Sequence, residues 1–382
     1  MFNNIYFYVL PSVFIQLALV FCFFNIPNSM LSSFLFLPVI ITLITVFFGI
    51  LIQKKIDITK AVEIKKWTID YKILEFFCWF IVFLVPFDIY FNGFKILNPA
   101  TYAEFHGIGR YIRYVTNFSW LICLFSAINF KRNISFKVLL IISVLIPIIF
   151  IDRNRLLMCF FNMFIVWYFI SKGTKKSKNI KVLLCFLGVL GIFSLIGLAR
   201  SGTAFYVPSS GTKFISGYYP LKQYFYLLPV TVQQVVLYIT TPLFNFSHML
   251  DIGFKSDVFL LRQVDFLNRD LYPVYPYSPI LIPRYNVGTE FFPILLCFGK
   301  IGVFLAVLII LSYFSFFFYL LYLRPNFYTL SFFMKISYVI LLMGFAPQFF
   351  IVYNIASLFL MLFAYLFIYV VVRFYNKQPH KC

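Results

Sequence analysis

The sequence predicts an all-α polytopic membrane protein, with about ten transmembrane helices and one large outer loop containing amphipathic and re-entrant helices. Three observations predict it. Apolar residues make up 62% of the 382 residues and charged residues 12%, and the mean hydropathy is +0.93. Water-soluble chains carry roughly 25% charged residues, so a cytosolic enzyme, a nucleic-acid binder and a disordered protein are excluded. Apolar runs recur at about the 20 residues needed to cross a hydrocarbon core of about 30 Å. The charges are also lopsided, 32 Lys and Arg against 12 Asp and Glu for a net +20, and basic loops are what orient a membrane chain.

In order, the spans are expected at 5–24, 30–52, 73–92, 112–129, 138–151, 156–170, 182–199, 299–322, 331–347 and 354–372. The first begins at Ile5 without a basic stretch before it or a small-residue cleavage site, so it is expected to be retained. Read as one helix, 138–170 would run about 50 Å at 1.5 Å per residue, too long for the core. Asp152-Arg153-Asn154-Arg155 is therefore read as a tight outer turn between two short helices. That split keeps 171–181, with five Lys and no acid, on the inner side. Inner loops then hold 18 basic residues against 13 outside, and seven of the 13 lie in the long loop, which weighs little in orientation. Both termini are expected in the cytoplasm. The organisation is a membrane domain over 1–199, a large loop over 200–298, and a second membrane segment with a cytoplasmic tail over 299–382.

Charge type separates by side. Fifteen of the 18 inner basic residues are Lys, whereas eight of the 13 outer ones are Arg: 110, 113, 153, 155, 200, 262, 269 and 284. Guanidinium forks match phosphate and carboxylate bidentately, which a hydrated ammonium does not. Pairing with the outer acids Glu104, Asp152, Asp251, Asp257, Asp265, Asp270 and Glu290 is one explanation, and an anionic ligand is the other. Glu75, Asp88 and Lys335 lie in or at the ends of spans, where charge is expensive. Lys335 is expected to snorkel or line a cavity, and the two acids to sit near span ends.

The long loop opens on a Gly/Ser/Pro-rich stretch, Arg200 to Gly211. It continues through an aromatic, amphipathic run around 214–250 that suits the outer leaflet, and becomes Pro- and Tyr-rich at 272–283. Asn286, Thr289 and Glu290 then lead into an apolar run, so 285–297 is read as a short re-entrant or interfacial helix and the floor of a site. The seven Cys show no CxxC or Cys/His metal spacing, and no outward Asp-x-Asp pair occurs. No metal and no cofactor are expected.

Four features resemble the bacterial O-antigen polymerases (the Wzy family). They are the turn Asp152 to Arg155, the span exit Leu198-Ala199-Arg200-Ser201-Gly202, the run Tyr238 to Phe246, and Asn286-Val287-Gly288-Thr289 followed by Phe298-Gly299-Lys300-Ile301-Gly302. Arg200 to Gly211 also fits an Arg-x10-Gly pattern of that family, while Cys297 stands where the family commonly has an acid. The resemblance implies polymerisation of undecaprenyl-pyrophosphate-linked oligosaccharide repeat units at the periplasmic face of the bacterial inner membrane. The growing chain would pass to a hydroxyl of the incoming unit, with undecaprenyl pyrophosphate released. Implied partners are that lipid-linked oligosaccharide, the bilayer and a chain-length regulator protein.

Such a transfer needs cations at the departing pyrophosphate and a base at the attacking hydroxyl. Arg153, Arg155, Arg200 and Arg284 are the phosphate candidates. Arg110 and Arg113, with His106, are candidates for glycan or headgroup contact, as are Arg262, Tyr285 and Asn286. His248, Asp251, Glu104 and Glu290 are candidate bases by reagent type. An O-antigen ligase, another polyprenyl-linked glycosyltransferase and a lipid-linked oligosaccharide flippase are the competing readings. The flippase would want repeated halves and charges at the bilayer midplane.

Overall fold

The computed structural model describes residues 5–52, 69–98, 107–170, 221–257, 288–344, 346–350 and 352–377, with a few further positions between 101 and 191. Among these the chain is helical, and an isolated bridge between Phe24 and Leu221 is the only β pairing. In chain order the helices are α1 (Ile5–Phe23), α2 (Leu31–Leu51), α3 (Ile69–Asn92), α4 (Gly107–Thr116), α5 (Ser119–Asn129) and α6 (Ile134–Ile149). They continue with α7 (Arg153–Ile170), α8 (Val230–Ile252), α9 (Phe292–Leu323), α10 (Phe327–Leu342) and α11 (Val352–Lys377).

Among the described residues, four helices are long and apolar enough to cross a membrane: α1, α2, α3 over Tyr71–Asn92, and α9. They coincide with the first, second, third and eighth expected spans. Ile134–Ile149, Phe327–Leu342 and Ser357–Phe367 are apolar but shorter. The span expected at 182–199 and most of the long loop lie outside the described residues. Leu43, Phe83 and Phe363 point outward with more than 60% of their surface exposed, as a lipid-facing surface does and a water-soluble one does not.

The chain forms two compact units. The first comprises Met1–Ile56, Phe205–Leu323 and Lys335–Leu358, and the second Asp57–Ala204, Arg324–Met334 and Phe359–Cys382. In the second, α5 packs on α6 and α7, while α3 packs on α4 and α6. The expected single span over 112–129 is broken in two: α4 stops at Thr116 and α5 starts at Ser119. At the break the Asn117 and Phe118 N–H groups close turns on Arg113 and Val115. Asn162 of α7 donates to the Trp120 carbonyl at 2.9 Å, fastening α7 to α5. A break is present between α6 and α7, but it falls at Phe150–Asp152 rather than at the expected Asp152–Arg155: Arg153, Asn154 and Arg155 already belong to α7, whose first turn Asp152 caps.

In the first unit α1 and α2 form a hairpin, and α8 packs against α1, α2 and α9. Phe244 of α8 sits between Phe24 and Phe34, with ring centroids 4.4 and 4.9 Å away. Lipid is as apolar as these rings, so their contacts hold by dispersion and close packing rather than by escape from water. Two hydroxyls of α8 are turned onto its own backbone: Thr240 and Thr241 donate to the carbonyls of Val236 and Leu237. Pro242, inside α8, supplies no N–H to the preceding turn. One turn earlier Gln16, buried in mid-α1, donates to the Ile239 carbonyl at 2.7 Å and to the Gly344 carbonyl at 2.6 Å.

Gly299 divides α9. Its φ of 66° and ψ of −158° belong to a region open essentially to glycine alone. The short piece before it folds back on the long piece after it. A Cβ placed on Gly302 would lie 2.3 Å from Phe298 Cβ and 3.2 Å from Ile294 Cγ2, a contact that a straight helix cannot make across eight residues. The expected span over 331–347 ends early, at Leu342, where Gly344 and Pro347 break the helix. Gly299→Ala is expected to lower stability by about 1–3 kcal/mol through backbone strain. Thermal unfolding of the purified protein in detergent measures it, and an unchanged midpoint contradicts the fold-back.

Candidate functional site

Each unit buries a polar assembly in apolar surroundings. In the second unit it is built on α3, α4 and the α6–α7 turn. Asp88 is fully buried on α3 and accepts from Asn92 Nδ2 at 2.7 Å, from Thr116 Oγ1 and from Arg113 Nη1 at 3.3 Å. Asn92 also donates to the Gly109 carbonyl at 2.8 Å. That bond needs close approach of α4, because a Cβ on Gly109 would lie 2.6 Å from Asn92 Oδ1. Arg113 reaches Asp152 at 3.7 Å and lies over the Phe150 ring with Cζ 3.8 Å from its centroid. Asp152 pairs with Arg155 at 3.0 Å, and its Oδ1 caps α7 by accepting the Arg155 N–H at 3.0 Å.

The turn that presents Asp152 is strained. The Asp152 N–H bonds the Pro147 carbonyl and the Ile151 N–H bonds the Ile148 carbonyl, the bond pattern that closes a helix on a left-handed residue, usually glycine. Here that residue is Ile151, with φ 53°. A β-branched side chain in this region costs on the order of 1–3 kcal/mol and persists only where its surroundings over-determine it. The buried Ile151 side chain and the ion pairs of Asp152 do so.

Arg110, Arg113, Arg153 and Arg155 stand on these elements with Asp88 and Asp152. Arg110 Nε donates to the Tyr114 hydroxyl at 3.1 Å. Arg153 and Arg155 occupy the first turn of α7, where the helix dipole disfavours cations. Asp152 offsets that cost in part through its pairing with Arg155.

In the first unit, α8 ends beside the start of α2. Ser33 donates through its hydroxyl to Asp251, and Ser247 donates to the Ser33 carbonyl at 3.4 Å. His248 lies one turn before Asp251, half-buried. Burial lowers its imidazole below the usual histidine value, with Asp251 pulling the other way, so the ring is neutral near pH 7 and able to accept a proton. The backbone after α8 meets α9, with the Ser256 N–H on the Leu296 carbonyl at 3.0 Å and Cys297 Sγ on the Ser256 carbonyl at 3.1 Å.

Glu290 is fully buried, and its carboxylate is gripped by the N–H groups of Gln348, Phe349 and Phe350. Both oxygens are engaged by backbone, so in this arrangement Glu290 holds the 346–350 segment rather than waiting for a hydroxyl proton.

Of the residues expected at a site, the structure brings together Arg113 and Arg155, with Arg110 and Arg153 on the same elements. Arg113 is enclosed by two carboxylates and a ring, so pairing with acids accounts for it. His248 stands with Asp251, and Glu290 is held by the backbone of 348–350. Glu104, His106, Arg200, Arg262, Arg284, Tyr285 and Asn286 lie outside the described residues. Sequence reasoning undervalued Asp88, Asn92 and Gln16, whose signal is a polar residue alone in an apolar run. Among the described residues no group of three or more His, Cys, Asp or Glu is placed to hold a metal ion. No family model, no curated protein and no solved structure matches the chain.

Asp88→Asn leaves the buried Arg113 short of its nearest counter-charge. The expected loss is about 3–5 kcal/mol, read as a lower unfolding midpoint in detergent, and unchanged stability contradicts the ion-pair account.

Proposed function

We propose that this helical membrane protein is an O-antigen polymerase of the glycosyltransferase type. It joins undecaprenyl-pyrophosphate-linked oligosaccharide units at the periplasmic face of the bacterial inner membrane, with both termini in the cytoplasm. The observation that carries the proposal is the arginine-rich turn between α6 and α7, where Arg113 and Arg155 converge on Asp152 and Arg153 stands in the same first turn of α7. A chain this apolar retains such charge at a cost, and arginine matches a pyrophosphate better than it matches a neutral or cationic ligand. The resemblances at Arg200 to Gly202 and at Asn286 to Thr289 support the same substrate.

In the transfer, the bond between the donor's anomeric carbon and the pyrophosphate oxygen breaks. A hydroxyl of the incoming unit forms the new glycosidic bond and gives its proton to a general base, and undecaprenyl pyrophosphate leaves as the anion. Negative charge grows on the departing oxygen, and preorganised guanidinium groups stabilise it. Arg153 and Arg155 are proposed for this role, as are Arg200 and Arg284 on the sequence resemblance. Arg113 holds the turn in place through Asp88 and Asp152, and Arg110, Arg262, Tyr285 and Asn286 are proposed as glycan or headgroup contacts. The bilayer delivers the lipid, and a chain-length regulator is the proposed protein partner.

Complementing a deletion strain with Arg153→Ala, Arg200→Ala or Arg284→Ala is expected to leave surface glycan of a single repeat unit, with elongation down about a hundredfold or more. A gel of surface glycan reads the outcome. A normal ladder in all three variants contradicts the proposal. In the deletion strain itself, full-length chains held on undecaprenyl pyrophosphate indicate a ligase, and loss of all outward glycan indicates a flippase.

A further inference from the structure

Lys335, on α10, and Glu290, before α9, are both buried in the first unit, and a line of hydrogen bonds runs from one to the other. Lys335 Nζ donates to Asn354 Oδ1 at 3.0 Å. Asn354 Nδ2 donates to the Gln348 carbonyl. The peptide that carries this carbonyl donates through the Phe349 N–H to both Glu290 oxygens at 2.9 Å. Each of the two amides thus turns its carbonyl toward the ammonium and its N–H toward the carboxylate. Reversing either would set like ends together. Aligned in this way, the amides polarise one another, and in a medium of low dielectric the effect of each charge carries along the line.

The surroundings make the line specific. Lys335 is 6% exposed and engaged by Asn354, so it neither snorkels to a helix end nor stands in water. The Glu290 N–H donates to the Met343 carbonyl at 2.8 Å, and the Gln348 and Phe350 N–H groups complete the grip on its carboxylate. From the α1 side Gln16 holds the Gly344 carbonyl. Among the described residues between α10 and α11, backbone groups of Met343, Gly344, Gln348, Phe349 and Phe350 are thereby engaged, as a break among apolar helices requires.

We infer that Lys335 is the counter-charge of Glu290, relayed through Asn354 and the Gln348–Phe349 peptide, and that the two are positioning residues fixing segment 346–350 against the chain that enters α9. Removing one charge leaves the other buried and uncompensated, whereas removing both leaves two neutral groups in place. The consequence for activity rests on the polymerase reading: Glu290 follows Asn286, a proposed substrate contact, by four residues. The coupling between the two charges does not depend on that reading.

The test uses the full-length protein in lipid nanodiscs, as wild type, Lys335→Met, Glu290→Gln, the double variant and Lys335→Arg. Thermal unfolding is followed by tryptophan fluorescence, and elongation is measured on an undecaprenyl-pyrophosphate-linked repeat unit. Each single neutral variant is expected to unfold several degrees below wild type, and the double variant clearly above the sum of the two losses. In Lys335→Met, kcat is expected to fall about tenfold to a hundredfold with KM for the lipid-linked unit unchanged, and Lys335→Arg is expected to recover it. Additive losses in the double variant overturn the charge pairing, and a wild-type kcat in Lys335→Met overturns the positioning role. If the single variants do not accumulate, accumulation of the double variant supports the pairing and its failure overturns it. Non-additive unfolding together with a wild-type protein that never elongates leaves the pairing standing and removes the polymerase reading instead.

Discussion

A charge inside an apolar helical body must meet a partner, and much of this structure follows from that requirement. Taking a carboxylate or guanidinium out of water costs several kcal/mol per ion even after the protein relaxes, and lipid offers no compensation. The chain answers in two ways. Asp88 faces Arg113 directly, with Thr116 and Asn92 filling its remaining acceptor positions. Glu290 faces backbone, three N–H groups in sequence, with the ammonium of Lys335 two amides away. Each arrangement fixes local backbone: the first places the α6–α7 turn, and the second closes the break between α10 and α11.

These partners also explain features that packing alone leaves open. Ile151 holds a left-handed conformation because the turn must deliver Asp152 both to α7 as a cap and to two arginines as a counter-ion. Gly109 stands where α4 approaches α3 closely enough for Asn92 to bridge them. Arg153 and Arg155 stand in the first turn of α7, against the helix dipole and against the cost of charge in an apolar chain, and an anionic ligand is proposed there.

Much of the helical layout was legible from local pattern. Apolar runs mark α1, α2, α3 and α9, and the length argument over 138–170 requires a break that the structure places at Phe150–Asp152, a little before the expected 152–155; the span read through 347 ends at Leu342, before Gly344 and Pro347. The break at Asn117 was not legible, because Thr116 and Asn117 are weak turn signals within an apolar stretch and Thr116 is drawn off by a hydroxyl bond to Asp88 on another helix. The site residues divide similarly. That arginine would gather at the turn could be read from residue type and spacing. That Arg113 would be enclosed, and that Glu290 would take backbone partners beyond α9, depends on contacts between distant parts of the chain, which no local periodicity records.

The proposed activity, making glycosidic bonds with release of undecaprenyl pyrophosphate, is tested most directly by giving purified protein in nanodiscs a defined undecaprenyl-pyrophosphate-linked repeat unit. The expected product is a ladder of lengthened lipid-linked glycans, with one undecaprenyl pyrophosphate released for each bond formed. Unchanged lipid-linked unit in nanodiscs, together with its movement across the bilayer when the same protein is placed in sealed vesicles, would contradict it.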